Sequence, residues 1–182
     1  MIRYKIALLG LLKEMPMHGY EINRQIEERH MRDWAKIKMA SIYNNLLALN
    51  KKGLVEVRKK KIGKMPERKV YHITSRGSRE LNALLKKGLS CYEGDSNAVF
   101  LLSLGFMTHL SGDKALAALN VRKNSLKVFL KQIIDIHRGL IDKIPFNWAF
   151  IIINSTNHMK TEIKNMEAVI KSVKKSAKGF KK

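Results

Sequence analysis

Ser41, Asn44 and Asn45 fall within five positions of one another, and lysines crowd both sides of them. Short hydroxyl and amide side chains donate and accept hydrogen bonds without carrying charge. That is what contact with the edge of a base requires, and an asparagine amide matches the donor–acceptor pair of adenine. These three are the base-edge candidates. Lys36, Lys38, Lys59, Lys60, Lys61, Lys64, Arg68 and Lys69 are the phosphate candidates, since cations hold a nucleic-acid backbone in register without reading its sequence. Tyr43 belongs to either group of roles: its ring packs in the core with a polar tip, or its hydroxyl reaches phosphate. The chemistry on offer is recognition of a polyanion.

Catalytic chemistry has no comparable cluster. His18, His30, His72, His109, His137 and His158 are scattered, with no pair four residues apart and no acidic partner at ligand spacing. Cys91 is the single cysteine, which excludes an internal disulfide framework and a multi-thiolate metal site. There is no glycine-rich phosphate loop, no nucleophile elbow and no carboxylate pair. The expectation is a non-enzyme with no catalytic residue, no metal and no cofactor.

The charge balance agrees. Lys and Arg number 36 against 15 Asp and Glu, a net of +21 over 182 residues. Residues 1–88 hold 21 of the cations and 8 of the acids, a net of +13 against +8 for the remainder. A lysine-rich genome accounts for part of the total but not for the clustering. The partner is a polyanion, either nucleic acid or an anionic membrane surface. No uncharged apolar run approaches the roughly 20 residues needed to span a bilayer, and the N-terminus lacks the pattern of a signal peptide. A cytoplasmic protein is expected.

The elements that must position these residues are legible from periodicity. Ile2, Ile6, Leu9 and Leu12 predict a first helix, with Gly10 its one weak point and Pro16 its stop. After a Met17-His18-Gly19 turn, Tyr20, Ile22 and Ile26 predict the buried face of a second. A third helix, from Met39 to about Lys52, carries an apolar stripe of Ile42, Tyr43, Leu46 and Leu49 and is closed by Gly53. The period then changes to that of strands, around Leu54 to Val57 and Lys69 to Ile73, with a basic tip between them. Thr74 caps a helix to about Lys87. Beyond a boundary at 88–96 the chain reads as helical: one helix from Ala98 to Leu110, one from Ala115 to Ile144 with Asp113 as its cap, and a last one after Pro145.

Helix, helix, polar-faced helix and lysine-tipped hairpin is the order of a winged helix-turn-helix. The third helix enters the major groove and the wing meets phosphate beside it. The motifs Leu8-Leu9-Gly10-Leu11-Leu12, Met17-His18-Gly19-Tyr20-Glu21-Ile22, Ser41-Ile42-Tyr43, Gly53-Leu54-Val55 and Arg68-Lys69-Val70-Tyr71-His72-Ile73-Thr74 with Gly77 resemble those of PadR-like transcriptional regulators. Two departures stand out. Asn44 replaces the proline that follows Ser-Ile-Tyr in the family, and Lys38-Met39-Ala40 replaces its small, proline-containing helix start. Both lengthen the polar face and weaken the expected cap, so the operator read here differs from that of better-known relatives.

The resemblance implies a dimeric regulator, most often a repressor, that binds a double-stranded DNA operator. It also implies a small aromatic or drug-like effector that enters a pocket in the helical half. The fold expected is mainly α: a winged helix-turn-helix domain over 1–88, with three helices and a β-hairpin wing, then an all-helical dimerisation and effector-binding domain over 95–182. Ile152, Met159, Ile163, Met166, Ile170 and Val173 keep a heptad-like seam in the last helix, and such a seam calls for a partner helix. A second copy of the chain is the favoured partner, the same chain's helices the alternative. Phe100, Phe106, Phe146, Trp148 and Phe150 are the effector-pocket candidates, with ordinary core packing the plainer reading. Two rival functions remain on sequence alone: a basic winged-helix adaptor that does not read DNA, and a protein bound to anionic membrane through its lysine-rich C-terminus.

Overall fold

The computed structural model describes residues 2–60, 68–92 and 97–176. In chain order the elements are α1 (Ile2–Glu14), β1 (Met17–His18), α2 (Gly19–Glu28), α3 (Met31–Trp34), α4 (Met39–Lys51), β2 (Val55–Lys60), β3 (Arg68–Ile73), α5 (Ser75–Ser90), α6 (Asn97–Gly105), α7 (Gly112–His137) and α8 (Phe146–Ser176). Short 3₁₀ turns lie at Met107–His109 and Ile141–Lys143. They divide into two compact units. One holds the chain up to Leu89 together with residues 97–110; the other holds Ser90–Tyr92 and everything from Ser111 onward.

The first unit is built around α1. Every residue from Ile6 to Leu12 is buried, and a helix that is apolar on all sides needs an element against each side. It has them in α2, α4, α6 and β3. Gly10, a weak point by propensity, is explained here. A Cβ at that position would lie 2.6 Å from Cγ of Phe106, the residue that follows α6. The absent side chain is what lets α6 lie against α1. Residues 97–110 therefore pack with the first unit, whereas the sequence reading began the second domain at 95. Phe100 and Phe106, offered above as pocket residues, are part of this core.

The sheet is antiparallel with order β1-β3-β2. The hairpin register runs from Val55 opposite Ile73 to Lys60 opposite Arg68. Its third strand escaped the sequence reading, because two residues carry no periodicity: Met17 pairs with Tyr71 and His18 with Val70. Gly53 ends α4 in the left-handed conformation at φ +66°, as a glycine at that position does. The Thr74 hydroxyl accepts the Gly77 N–H at 3.0 Å, capping α5, and donates to the Gly53 carbonyl at 2.8 Å.

Helix α4 begins without a side-chain cap of its own at Lys38, as the unusual Lys38-Met39-Ala40 start foreshadowed. The acceptor comes from α1 instead. The Lys38 N–H donates to the Tyr4 hydroxyl at 3.0 Å. Burial pushes the Tyr4 phenol up, but hydrogen bonds from Ser41 and the Lys38 backbone, with Arg3 and Lys38 charges nearby, outweigh it and hold its pKa below the ordinary tyrosine value.

In the second unit α7 and α8 pack along each other. Met159, Ile163, Met166, Ile170 and Val173 are buried there and Ile152 is half-buried, so the seam assigned to a second copy is covered by the chain's own α7. A heptad spacing reports that a partner helix exists, not which chain supplies it. Ion pairs Arg122–Glu162 (2.5 Å) and Lys127–Glu167 (3.0 Å) fix the register of the two helices. Arg122 is only 2% exposed. Its guanidinium also donates to the Cys91 carbonyl and lies 5.4 Å from the Tyr92 ring centroid. Tyr92 in turn meets the Phe129 ring edge-on at 6.2 Å. Helix α7 stops at His137, short of the expected Ile144, and Gly139 follows with φ +75°. Ser111, not Asp113, is the residue that precedes the helix; Asp113 sits in its first turn, where a carboxylate favours the helix dipole.

Two variants test this packing. Gly10→Ala must displace the base of the Phe106 ring, and overpacking of that kind costs about 1–3 kcal/mol; an unchanged urea midpoint would show that α6 does not depend on that contact. Tyr4→Phe removes the acceptor of the part-buried Lys38 N–H and is expected to cost about 0.5–1.5 kcal/mol in the same assay. A loss below a few tenths would assign the start of α4 to other contacts.

Candidate nucleic-acid interface

Helix α4 buries Ile42, Leu46 and Leu49. Its outward face is therefore Met39, Ala40, Tyr43, Asn44 and Leu47, all exposed. Of the three base-edge candidates, Asn44 is the one fully on that face. Ser41 is half-buried and bonded to Tyr4. The Asn45 amide turns back along the helix and donates to the Ser41 carbonyl at 2.7 Å. Tyr43 was placed both in the stripe and at phosphate; at 50% exposure it belongs to the surface. Met39, Ala40 and Leu47 were missed. A helical wheel centred on the buried trio points opposite to 40, 44 and 47, but Leu47 is apolar and was not sought on an outer face.

The His18-Gly19-Tyr20-Glu21 motif holds this helix and the wing together. The His18 N–H donates to the Glu21 carboxylate at 2.7 Å, which caps α2. The His18 ring nitrogen Nδ1 lies 3.1 Å from the Lys69 carbonyl of β3, as a donor to it. Gly19 has no side chain because Tyr43 is in the way: a Cβ there would be 2.7 Å from Cε1 of that ring. Tyr20, expected on a buried face, is 70% exposed. It stands in the first turn of α2 and lines a concavity of about 840 Å³ with Arg24, Tyr43, Lys69 and Tyr71. Burial, with Tyr43 beside it, pushes the Tyr71 phenol up.

The cations gather around the same surface. Lys36 and Lys38 are exposed just before α4, and Lys59 and Lys69 are exposed on the wing strands. Lys36 holds a left-handed backbone at φ +53°, a conformation that costs a non-glycine residue of order 1 kcal/mol or more. In the hairpin register Lys59 stands opposite Lys69 and Lys60 opposite Arg68. Lys61 and Lys64 lie outside the described residues.

The effector candidates fall in two different units. Phe100 and Phe106 are in the core of the first unit. Phe146, Trp148 and Phe150 are exposed in the first turns of α8, Phe146 to 87%. They were grouped by nearness in sequence, and the unit boundary at 110–111 separates them. Among the described residues, no group of three or more His, Cys, Asp or Glu side chains is placed to hold a metal. Among the same residues no helix is long and apolar enough to cross a membrane.

The model of the transcriptional regulator PadR-like family matches residues 8–83. The chain is 31% identical over 111 residues to the negative transcriptional regulator PadR of Bacillus subtilis (strain 168), covering 61% of this chain and 60% of that protein. It is 34% identical over 80 residues to an uncharacterized protein of Lysinibacillus sphaericus, covering 44% and 72%. Among solved structures it is similar to Bacillus subtilis PadR in complex with operator DNA, at 23% identity and a TM-score of 0.43, covering 93% of this chain and 98% of that one. The same relative in complex with p-coumaric acid matches at 21% identity and a TM-score of 0.39, covering 94% and 99%. The aligned region thus spans less than two thirds of the Bacillus subtilis protein's length in sequence. Residues 8–83 thus match the PadR-like family of transcriptional regulators, a stretch of somewhat under half of the chain.

Proposed function

We propose that this chain is a sequence-specific double-stranded DNA-binding regulator, working in the cytoplasm as a dimeric repressor relieved by a small aromatic effector. One observation carries the reading: α4 exposes Asn44 on an acid-free helix, with Lys36 and Lys38 at its start and Lys59 and Lys69 exposed on the wing strands. Asn44 takes adenine, and the cations take phosphate. The Bacillus subtilis relative is named a negative regulator and has been solved with operator DNA and with p-coumaric acid, which supports the same roles here.

The dimer needs a surface other than the buried seam. Phe146, Trp148, Phe150, Ile151 and Ile153 of α8 are exposed, as are Val128, Phe129 and Ile136 of α7. A patch of large apolar groups on one helical unit marks an interaction site, and a second copy is the occupant proposed. For the effector, a cleft of about 440 Å³ in the same unit has isoleucine walls (133, 134, 152 and 153) and Arg138 and Lys160 among its lining. Asp142 also lines it, so two cations stand against one carboxylate, and apolar walls with that balance suit an aromatic carboxylate.

The test is a binding titration against a duplex selected from a random pool and against its scrambled counterpart. Asn44→Ala is expected to weaken binding to the selected duplex by roughly 5- to 150-fold, the worth of one good base contact. Binding to the scrambled duplex should change little. Each phosphate contact removed, as in Lys69→Ala, should lower the salt slope of log K by about 0.9. Equal affinity of the native chain for both duplexes would overturn the reading. Adding p-coumaric acid should release the selected duplex. Separately, Phe150→Glu places a charge in the proposed dimer surface and is expected to give monomers by light scattering; a dimer that persists would move the interface elsewhere.

A further inference from the structure

Met39, Tyr43 and Leu47 are large, and each is half-exposed or more on α4. They recur at four-residue intervals, and Ala40 and Asn44 lie beside them. Single exposed apolar residues are ordinary. Three of them on one 13-residue helix, around one asparagine, form a surface that calls for a partner.

The charges around the strip say what kind. Helix α4 has no acidic residue, and Lys36, Lys38, Lys51, Lys52, Lys59 and Lys69 are exposed on or about it. A partner that is itself polyanionic and also offers apolar groups at close range fits both facts. In the major groove of DNA one base does this: thymine presents its C5-methyl next to an acceptor oxygen. From Ala40 to Leu47 the helix rises about 10 Å, which passes about three base pairs at 3.4 Å each. Opposite a G·C pair the Leu47 side chain would cover polar edges and leave them without partners, at a cost.

We propose that α4 reads thymine methyl groups through Leu47, with Ala40 and Met39 as neighbours, on either side of an adenine held by Asn44. The half-site is then A·T-rich at the base pairs under α4. RNA is rejected, because uracil lacks the methyl and the A-form major groove does not admit the helix. This inference rests on the DNA-reading function proposed above.

The experiment uses the full chain and the duplex selected from a random pool. Each thymine is replaced in turn by deoxyuridine, which removes only the C5-methyl. At one to three positions the dissociation constant is expected to rise about fourfold, the worth of one buried methyl. Leu47→Ala should bind the thymine and uracil duplexes alike at one of those positions, while the other sensitive positions keep their ratio. Because Leu47 is exposed, that variant retains its core, and an unchanged urea midpoint checks this. Uniform affinity across every deoxyuridine duplex overturns the methyl reading and leaves DNA recognition standing. So does a Leu47→Ala chain that keeps the same thymine preference everywhere. A random pool from which no sequence is enriched overturns both.

Discussion

Helix α1 is apolar on every side from Ile6 to Leu12, and the first unit depends on the burial that this imposes. No single face could be left to water without exposing leucines or isoleucines, so α2, α4, α6 and β3 are all drawn against it. Each buried aliphatic side chain contributes about 1.5–3 kcal/mol toward that arrangement. Gly10 sets how closely α6 approaches, through the Phe106 ring. Tyr4, on the same helix, brings a polar group into this apolar surrounding where it can be used, as acceptor for the first N–H of α4.

Recognition follows from that placement. The outer face of α4 is defined by what the helix buries, and Tyr4 sets where it starts. The His18-Gly19-Tyr20-Glu21 segment then ties α4 to the wing: His18 pairs with β3 in the sheet and reaches the Lys69 carbonyl, while Gly19 makes room for Tyr43. The lysines of the wing are carried on a hairpin whose register puts like charges opposite each other.

The second unit obeys a different logic. Two long helices bury one seam between themselves, with Arg122 and Glu162 meeting at its edge, and the guanidinium holds the Cys91–Tyr92 segment that follows α5. Removing one partner of such a buried pair leaves an uncompensated charge, so the segment is anchored by more than packing. What the seam leaves outside is a second apolar surface, in the first turns of α8 and along α7.

The order of elements, the ends of α4 and α5 at Gly53 and Thr74, the wing and its charge, and the family resemblance were all legible in the sequence, because they arise from local periodicity and local capping. The recognition surface was legible only in part. Asn44 stands where it was expected, but whether Ser41 and Asn45 face outward depends on Tyr4 and on a bond within the helix, and neither follows from spacing alone. Tyr20 and the two-residue strand β1 were hidden for the same reason. In the helical half, the heptad spacing from Met159 to Val173 was read correctly as a seam, and only the tertiary structure decided that α7 of the same chain fills it. Likewise five aromatics near in sequence were divided by packing, two into the core of the first unit and three onto the exposed start of α8. Short, uncharged and polar residues around position 41 were evident from the start; which of them faces outward was decided by which side of α4 is buried.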